Sequence, residues 1–204
     1  MAWSVKAVLL DLDGTIIRSN IDFRSMKQQL IETFAKHGAD TSPFSPNQRN
    51  PHLLSAGLDQ LKAASISSEQ MAEVKLELSR IMDLHELNAL DHTQIDDAAA
   101  SALRELNEAG LSLAVVTRAC HAYAEGTLHR CGLRKLVKTV IAREDIEEAK
   151  PNPEQLHQAL KAVGVASWEA VYVGDTTIDL EAAQRAGVRF IAVLSGDSSE
   201  EDFR

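Results

Sequence analysis

The chain has few cysteines, no run of basic residues and no long apolar stretch, and each absence removes a class of protein. Its two cysteines, Cys120 and Cys131, fall in a stretch that reads as one helix, whose rise places them roughly 16 Å apart. That separation forbids a disulfide between them. His121 and His129, spread over the same turns, cannot converge with them on one metal ion. The missing basic runs accompany an acidic excess: 30 Asp and Glu against 21 Lys and Arg, a net charge of -9. Nucleic acid and anionic membrane surfaces are therefore not expected as partners. Met1 to Leu10 carries only a short apolar run before the acids Asp11 and Asp13, which fits neither a signal peptide nor a membrane span. A cytoplasmic location is the expectation. What remains, 45% hydrophobic and 25% charged over 204 residues, is globular composition with length for one full core and a small added domain.

Val5 to Leu10 is nearly continuous in apolar residues, the pattern of a strand buried on both faces. Leu111 to Val116, Ala170 to Val173 and Arg189 to Leu194 repeat it, and Val137 to Ala142 is a weaker example. Helical patterns lie between these runs, each followed by a glycine suited to ending a helix: Gly110, Gly132, Gly164 and Gly187. Strand, helix and glycine in turn specify an α/β fold, a Rossmann-like parallel sheet flanked by helices. Ligands in such sheets bind beyond the carboxyl ends of the strands. The stretch from about 18 to 92 breaks the rhythm and reads as a helical insertion. Phe23, Met26, Leu30 and Phe34 form one apolar stripe, and Met71, Val74, Leu78 and Met82 another, behind a capping box from Ser67 to Gln70. Thr41 to Pro51, with three prolines, reads as a loop.

Asp11-Leu12-Asp13-Gly14-Thr15 ends the first run with two carboxylates on alternate positions, which share a side. Gly14 permits a sharp exit and a close approach of backbone amides to an anion. Carboxylates brought together repel by roughly 4 kcal/mol at 4 Å and an effective dielectric of 20, so positive charge is required nearby. Lys150, in Ala149-Lys150-Pro151-Asn152-Pro153, is one source. A divalent cation is the other, because Asp175 and Asp179 in Gly174-Asp175-Thr176-Thr177-Ile178-Asp179 add carboxylates at the same edge, and such oxygen ligands suit magnesium. Thr117, ending its own strand, offers a hydroxyl and an amide for a phosphoryl oxygen. With the whole molecule acidic, an anionic substrate must be attracted by this local set.

In order and placement these motifs resemble those of the haloacid dehalogenase-like hydrolases, within them the phosphoglycolate phosphatase and β-phosphoglucomutase-like group. The matching segments are Asp11 to Thr15, Thr117, Lys150 and Asp175 to Asp179. The resemblance implies a core of residues 1–17 and 93–204 with the first strand central, and a small helical cap of residues 18–92. It implies a magnesium-dependent phosphatase acting on a small phosphorylated metabolite, as monomer or homodimer. Asp11 is then the nucleophile that forms an aspartyl-phosphate, and Asp13 the acid and base. Magnesium is held by Asp11, the Asp13 carbonyl and Asp175, with Asp179 in support. Lys150, Thr117, Thr15 and the amides near Gly14 hold phosphoryl oxygens.

Two positions depart from the family pattern: Arg118 follows Thr117 where asparagine is common, and Arg18 stands where an acid is often found. With Arg49 of the insertion they are candidates to contact an acidic leaving group. A haloacid dehalogenase needs neither Asp13 nor Asp175. A sugar phosphomutase needs the same residues as the phosphatase and stays open, as does a phosphonate-cleaving enzyme using Lys27, Lys36, Lys62 or Lys75. A non-catalytic binding module is the remaining alternative, against which both Asp11 and Asp13 speak.

Overall fold

The computed structural model describes residues 4–47, 52–196 and 198–204. It divides into two compact units, one made of Leu90–Arg204 with the N-terminal segment to Asn20, the other of Ile21–Ala89.

The smaller unit is helical: α1 (Phe23–Lys36), α2 (Leu53–Ala63) and α3 (Ser68–Ala89). Leu30 and Phe34 from one expected stripe meet Val74, Leu78 and Met82 from the other in a single core, while Phe23 stays exposed at the start of α1. Helix starts are set by side chains. Asp22 accepts a bond from the Ser25 amide at 2.9 Å. Ser67 and Gln70 exchange the two reciprocal bonds of the expected capping box. Helix α2 lies outside both stripes. Its Leu53 and Leu61 are buried, and Gly57 sits so close to the Phe34 ring that a methyl group there would collide with it. Residues 41–47 are irregular, as expected of a loop, and the rest of that stretch lies outside the described residues.

In the larger unit the apolar runs are strands. In chain order these are β1 (Ala7–Leu10), β2 (Ile17–Arg18), β3 (Gln94–Ile95), β4 (Ser112–Val116), β5 (Val137–Ile141), β6 (Ala170–Gly174) and β7 (Arg189–Ala192). Five of them form a parallel sheet in the order β5-β4-β1-β6-β7. Strand β1 is central: Val8 pairs with Leu113 on one side and Val171 on the other. All four of its residues are buried. With neighbours at both edges and layers on both faces, β1 has no position for a polar side chain, so its sequence runs apolar without alternation. The other helices of this unit are α4 (Asp97–Glu108), α5 (His121–Arg130), α6 (Glu154–Val163) and α7 (Thr177–Ala186). Leu9, Val116 and Tyr172 face Leu156 and Ala159 of α6 and Ala183 of α7 in one core, and α4 and α5 pack on β4 and β5. Gly164 and Gly187 end α6 and α7 in the left-handed region, at φ 79° and 66°, where a Cβ is penalised.

Two features were not expected. Strands β2 and β3 form a short antiparallel ribbon, Ile17 opposite Ile95 and Arg18 opposite Gln94; two residues are too few to leave a periodic signature. Cys120 and Cys131 are not inside α5 but flank it as its cap residues, and neither forms a disulfide. Among the described residues no helix is long and apolar enough to cross a membrane.

Candidate active site

The candidate residues reach the carboxyl rim of the sheet by continuing its strands. The Asp11 amide donates to the Val173 carbonyl at 2.9 Å, extending the ladder between β1 and β6 by one residue, and the Thr117 amide donates to the Ile141 carbonyl at 2.9 Å, doing the same for β4 and β5. Asp175 directly follows β6. Lys150 arrives from the loop before α6, and Asp179 from the first turn of α7. One carboxylate oxygen from each of Asp11, Asp175 and Asp179 lies within 4.8 Å of the other two, and all three side chains are buried.

Lys150 binds this group together. Its side chain is 1% exposed, and its Nζ lies 2.6 Å from Asp11 Oδ1, 2.7 Å from Asp179 Oδ1, 2.7 Å from the Tyr172 hydroxyl and 3.1 Å from the Val116 carbonyl. An ammonium has three protons, and four protein acceptors already surround this one. Lys150 therefore acts on the site first through Asp11 and Asp179; binding a phosphoryl oxygen as well requires one of these contacts to be exchanged. Gln155, fully buried at the start of α6, holds the loop beneath it. Its amide nitrogen donates to the Thr117 carbonyl at 2.7 Å, and its oxygen accepts from the Lys150 amide at 3.3 Å.

The cluster is short of positive charge. Burial pushes the Asp11 carboxyl well above its ordinary range, Lys150 opposes that shift, and the negative charges of Asp179 and Asp175 reinforce it. Asp179 meets the same burial, but there Lys150 and bonds from Thr176 and Tyr172 prevail and the carboxyl sits below its usual value. Burial alone would lower Lys150, yet Asp11 and Asp179 outweigh it and hold the ammonium above its ordinary value. The Tyr172 phenol is pushed well up by burial and by the charges of Asp179 and Asp11, so it remains a donor, to Asp179 Oδ1 at 2.6 Å. With all three carboxylates ionised, one ammonium would leave two negative charges, the amount one divalent cation neutralises.

The surroundings of Asp175 fit such an ion. Gly14 and Gly196 approach its carboxylate so closely that a Cβ on either would occupy the same space. The Thr15 hydroxyl donates to Asp175 Oδ1 at 3.3 Å, and the Ser195 hydroxyl donates to the Gly14 carbonyl at 2.8 Å. Hard oxygen donors in a compact, glycine-lined space suit magnesium.

Several expected donors are already engaged. The Gly14 amide donates to the Ile17 carbonyl at 2.8 Å, so Gly14, at φ 85°, serves the turn and the room around Asp175 rather than an anion. The Thr117 amide is likewise taken up by the sheet, because the ladder continues through it. Its hydroxyl accepts a bond from the Ala119 amide at 3.0 Å, which leaves the hydroxyl proton to be donated. Asp179 caps α7: its Oδ2 accepts from the Thr176 amide at 3.1 Å and from the Thr176 hydroxyl, and its Oδ1 faces Lys150 and Tyr172. It is better placed to hold Lys150 than to face an ion directly. The Asp13 carboxylate is not among the three that lie within 4.8 Å of one another, and its Oδ1 accepts from the Tyr123 hydroxyl at 3.0 Å. Arg18 is exposed and directed to Asp96 at 3.5 Å. Arg118 is half-buried beside Thr117, its carbonyl accepting from Arg143 at 2.7 Å. Arg49 lies outside the described residues. In the smaller unit, Lys36 pairs with Glu77 and Lys62 with Asp59, both at 2.9 Å.

Tyr172, Tyr123, Gln155 and Gly196 had no place in the sequence-derived site. The tyrosines sit inside a strand and a helix, where an aromatic reads as core, and only the folded neighbourhood turns their hydroxyls to the carboxylates.

A parallel sheet with a central first strand, carrying buried carboxylates and a lysine at its carboxyl rim, defines a fold and site held in common with known hydrolases. The family model described as haloacid dehalogenase-like hydrolase matches residues 8–193, and the chain belongs to that family. It is 28% identical over 199 residues to the N-acetylmuramic acid 6-phosphate phosphatase of Pseudomonas aeruginosa, covering 97% of this chain and 85% of that one. It is 26% identical over 195 residues to the phosphoglycolate phosphatase of Pseudomonas fluorescens, covering 94% and 70%. Among solved structures, a protein from Bacteroides fragilis described as haloacid dehalogenase-like superposes with a TM-score of 0.71 at 21% identity, covering 98% and 92%. That last likeness bears on the fold alone.

Proposed function

We propose that this protein is a magnesium-dependent phosphatase that hydrolyses a small phosphorylated metabolite through an aspartyl-phosphate on Asp11. The observation that carries the proposal is the convergence of Asp11, Lys150 and the pair Asp175 and Asp179 from three segments onto one buried cluster. The phosphatase relatives support the reaction class. Their substrates differ in size, from a sugar acid to a two-carbon acid, so neither leaving group is carried over to this chain.

In this reading Lys150 holds Oδ1 of Asp11, and the other oxygen of that carboxylate attacks phosphorus. As the bond to the leaving oxygen breaks, Asp13 gives that oxygen a proton. Water then attacks the phosphoryl group, Asp13 takes the proton back, the bond to Asp11 breaks, and phosphate leaves with the carboxylate restored. The Thr117 hydroxyl donates to a phosphoryl oxygen. Asp11, the Asp13 carbonyl and Asp175 would hold a divalent cation, whose charge would offset the repulsion between the anionic nucleophile and the phosphate. The helical unit of Ile21–Ala89 takes the part of the cap domain that the family resemblance implies.

The reading is tested by incubating the full chain with magnesium and a panel of phosphorylated metabolites, some with a carboxylate in the leaving group, and measuring free phosphate. Release from at least one compound is expected. Isomerisation of a sugar phosphate without release would favour the mutase, and silence across the panel and on a generic aryl phosphate would favour a non-catalytic member. Rates indifferent to a carboxylate would remove Arg18, Arg49 and Arg118 from leaving-group recognition.

Gly196→Ala gives a second test, since its methyl group must displace the Asp175 carboxylate. The magnesium concentration for half-maximal activity should rise about 10- to 100-fold, the scale on which residues supporting a metal ligand act. An unchanged magnesium dependence would contradict the assignment of Asp175.

A further inference from the structure

Tyr123 is fully buried in the first turn of α5. A buried phenol needs a polar partner for its hydroxyl. Its hydroxyl donates to Asp13 Oδ1 at 3.0 Å and lies 3.2 Å from the Thr93 hydroxyl. The three residues come from different parts of the larger unit: the turn after β1, the segment before β3, and α5. Their meeting is a product of the fold and not of local sequence.

The contact matters because it bears on a carboxyl carried by the turn after β1. The terminal torsion of an aspartate is broad, and although the backbone of Asp13 bridges to Ile17 on the turn after β1, its half-buried carboxyl is aimed by side-chain contacts. Asp11 is oriented by Lys150 and Asp179 by Thr176 and Tyr172. Tyr123 supplies such a tether to Asp13. Because a hydroxyl both donates and accepts, this tether does not depend on which partner holds the proton.

We propose that Tyr123, itself set by Thr93, is a positioning residue that aims the Asp13 carboxyl at the oxygen of the leaving group. The proposal rests on the reading of Asp13 as proton donor. Tyr123 touches neither substrate nor phosphorus; it acts through Asp13. A purely structural role, satisfying a buried hydroxyl, makes a different prediction. Misaimed proton donation harms poor leaving groups and spares those that depart without a proton, whereas a smaller folded fraction slows all substrates alike.

The test is kcat/KM, which reports steps up to departure of the leaving group, for the full chain with magnesium on phosphate esters ranging from dinitrophenyl through phenyl to alkyl. Tyr123→Phe keeps the ring and removes the tether. It should lose about 10- to 100-fold on the alkyl ester, part of the roughly 10²–10⁴ that a general acid contributes, and little on the dinitrophenyl ester. Thr93→Val should show the same slope with a smaller loss, and it carries the test if Tyr123→Phe folds poorly. A uniform loss along the series, or none on the alkyl ester, overturns the proposal. Asp13→Asn separates the two levels: if its own loss does not steepen with poorer leaving groups, the fault lies in the assignment of Asp13 as acid.

Discussion

Asp11→Asn is expected to lower phosphate release by at least about 10⁴-fold, the scale on which removal of a covalent nucleophile falls. Asparagine keeps the size of the side chain and an oxygen acceptor for the Lys150 contact, which is 2.6 Å long in the native protein. It has no anionic oxygen with which to attack phosphorus. The loss should therefore appear in kcat with little change in KM, and folding should not suffer. Burial holds the Asp11 carboxyl well above its ordinary range, so ionised Asp11 opposes folding at pH above that raised value, and the neutral amide removes the opposition. A thermal midpoint at neutral pH equal to or above that of the native protein, with the activity gone, is the expected pair of results. Phosphate release at the native rate would remove Asp11 as nucleophile.

Lys150→Met should damage both function and fold. Loss of the ammonium leaves Asp11 and Asp179 buried without their shared partner. Breaking a buried ion pair from one side costs about 3–5 kcal/mol, and removing a preorganised cation from a reacting centre lowers kcat about 10²- to 10³-fold. The pH dependence identifies the cause. In the native protein Asp179 lies below its ordinary value, with Lys150 outweighing burial, so it contributes stability above that ordinary value and loses it as pH falls through the folded value. Without Lys150, burial raises the same carboxyl, and ionised Asp179 then opposes folding. In urea titrations without added divalent cation, the gap between variant and native protein should be widest near neutral pH and narrow as pH falls into the carboxylate range. A gap that does not change with pH would mean that lost packing, and not uncompensated charge, sets the cost.

What the sequence disclosed follows the strength of its periodic signals. The strands β1, β4 and β6 stand out because burial on both faces leaves each one almost uniformly apolar, whereas β5 and β7, at the sheet edges and partly exposed, carry weaker runs. The acids of the site stand out because they interrupt those runs where the chain leaves the sheet. Asp11 and Asp175 were identifiable for that reason, Lys150 by its place just ahead of prolines and a helix and Asp179 by its motif with Asp175, and the fold brings the four together. The ribbon of β2 and β3 is too short to carry a pattern, and α2 hides behind Gly57 and a proline-rich approach. Tyr172 reads as one more apolar residue of β6 until β1 and α7 are placed beside it. Gly196, far from any motif, acquires a role only when its backbone is found against Asp175. The free amides expected of Gly14 and Thr117 could not be judged from sequence, because the turn and the strand extension that consume them are tertiary events.

The account depends most on a phosphoryl group becoming covalently attached to Asp11. Acid quenching during turnover of a substrate labelled in its phosphate, followed by peptide mapping, measures that attachment directly. Label on the peptide that contains Asp11, absent from Asp11→Asn and chased away by unlabelled substrate, is the predicted result. Rapid turnover with no labelled peptide, or label on another residue that persists in Asp11→Asn, would contradict it.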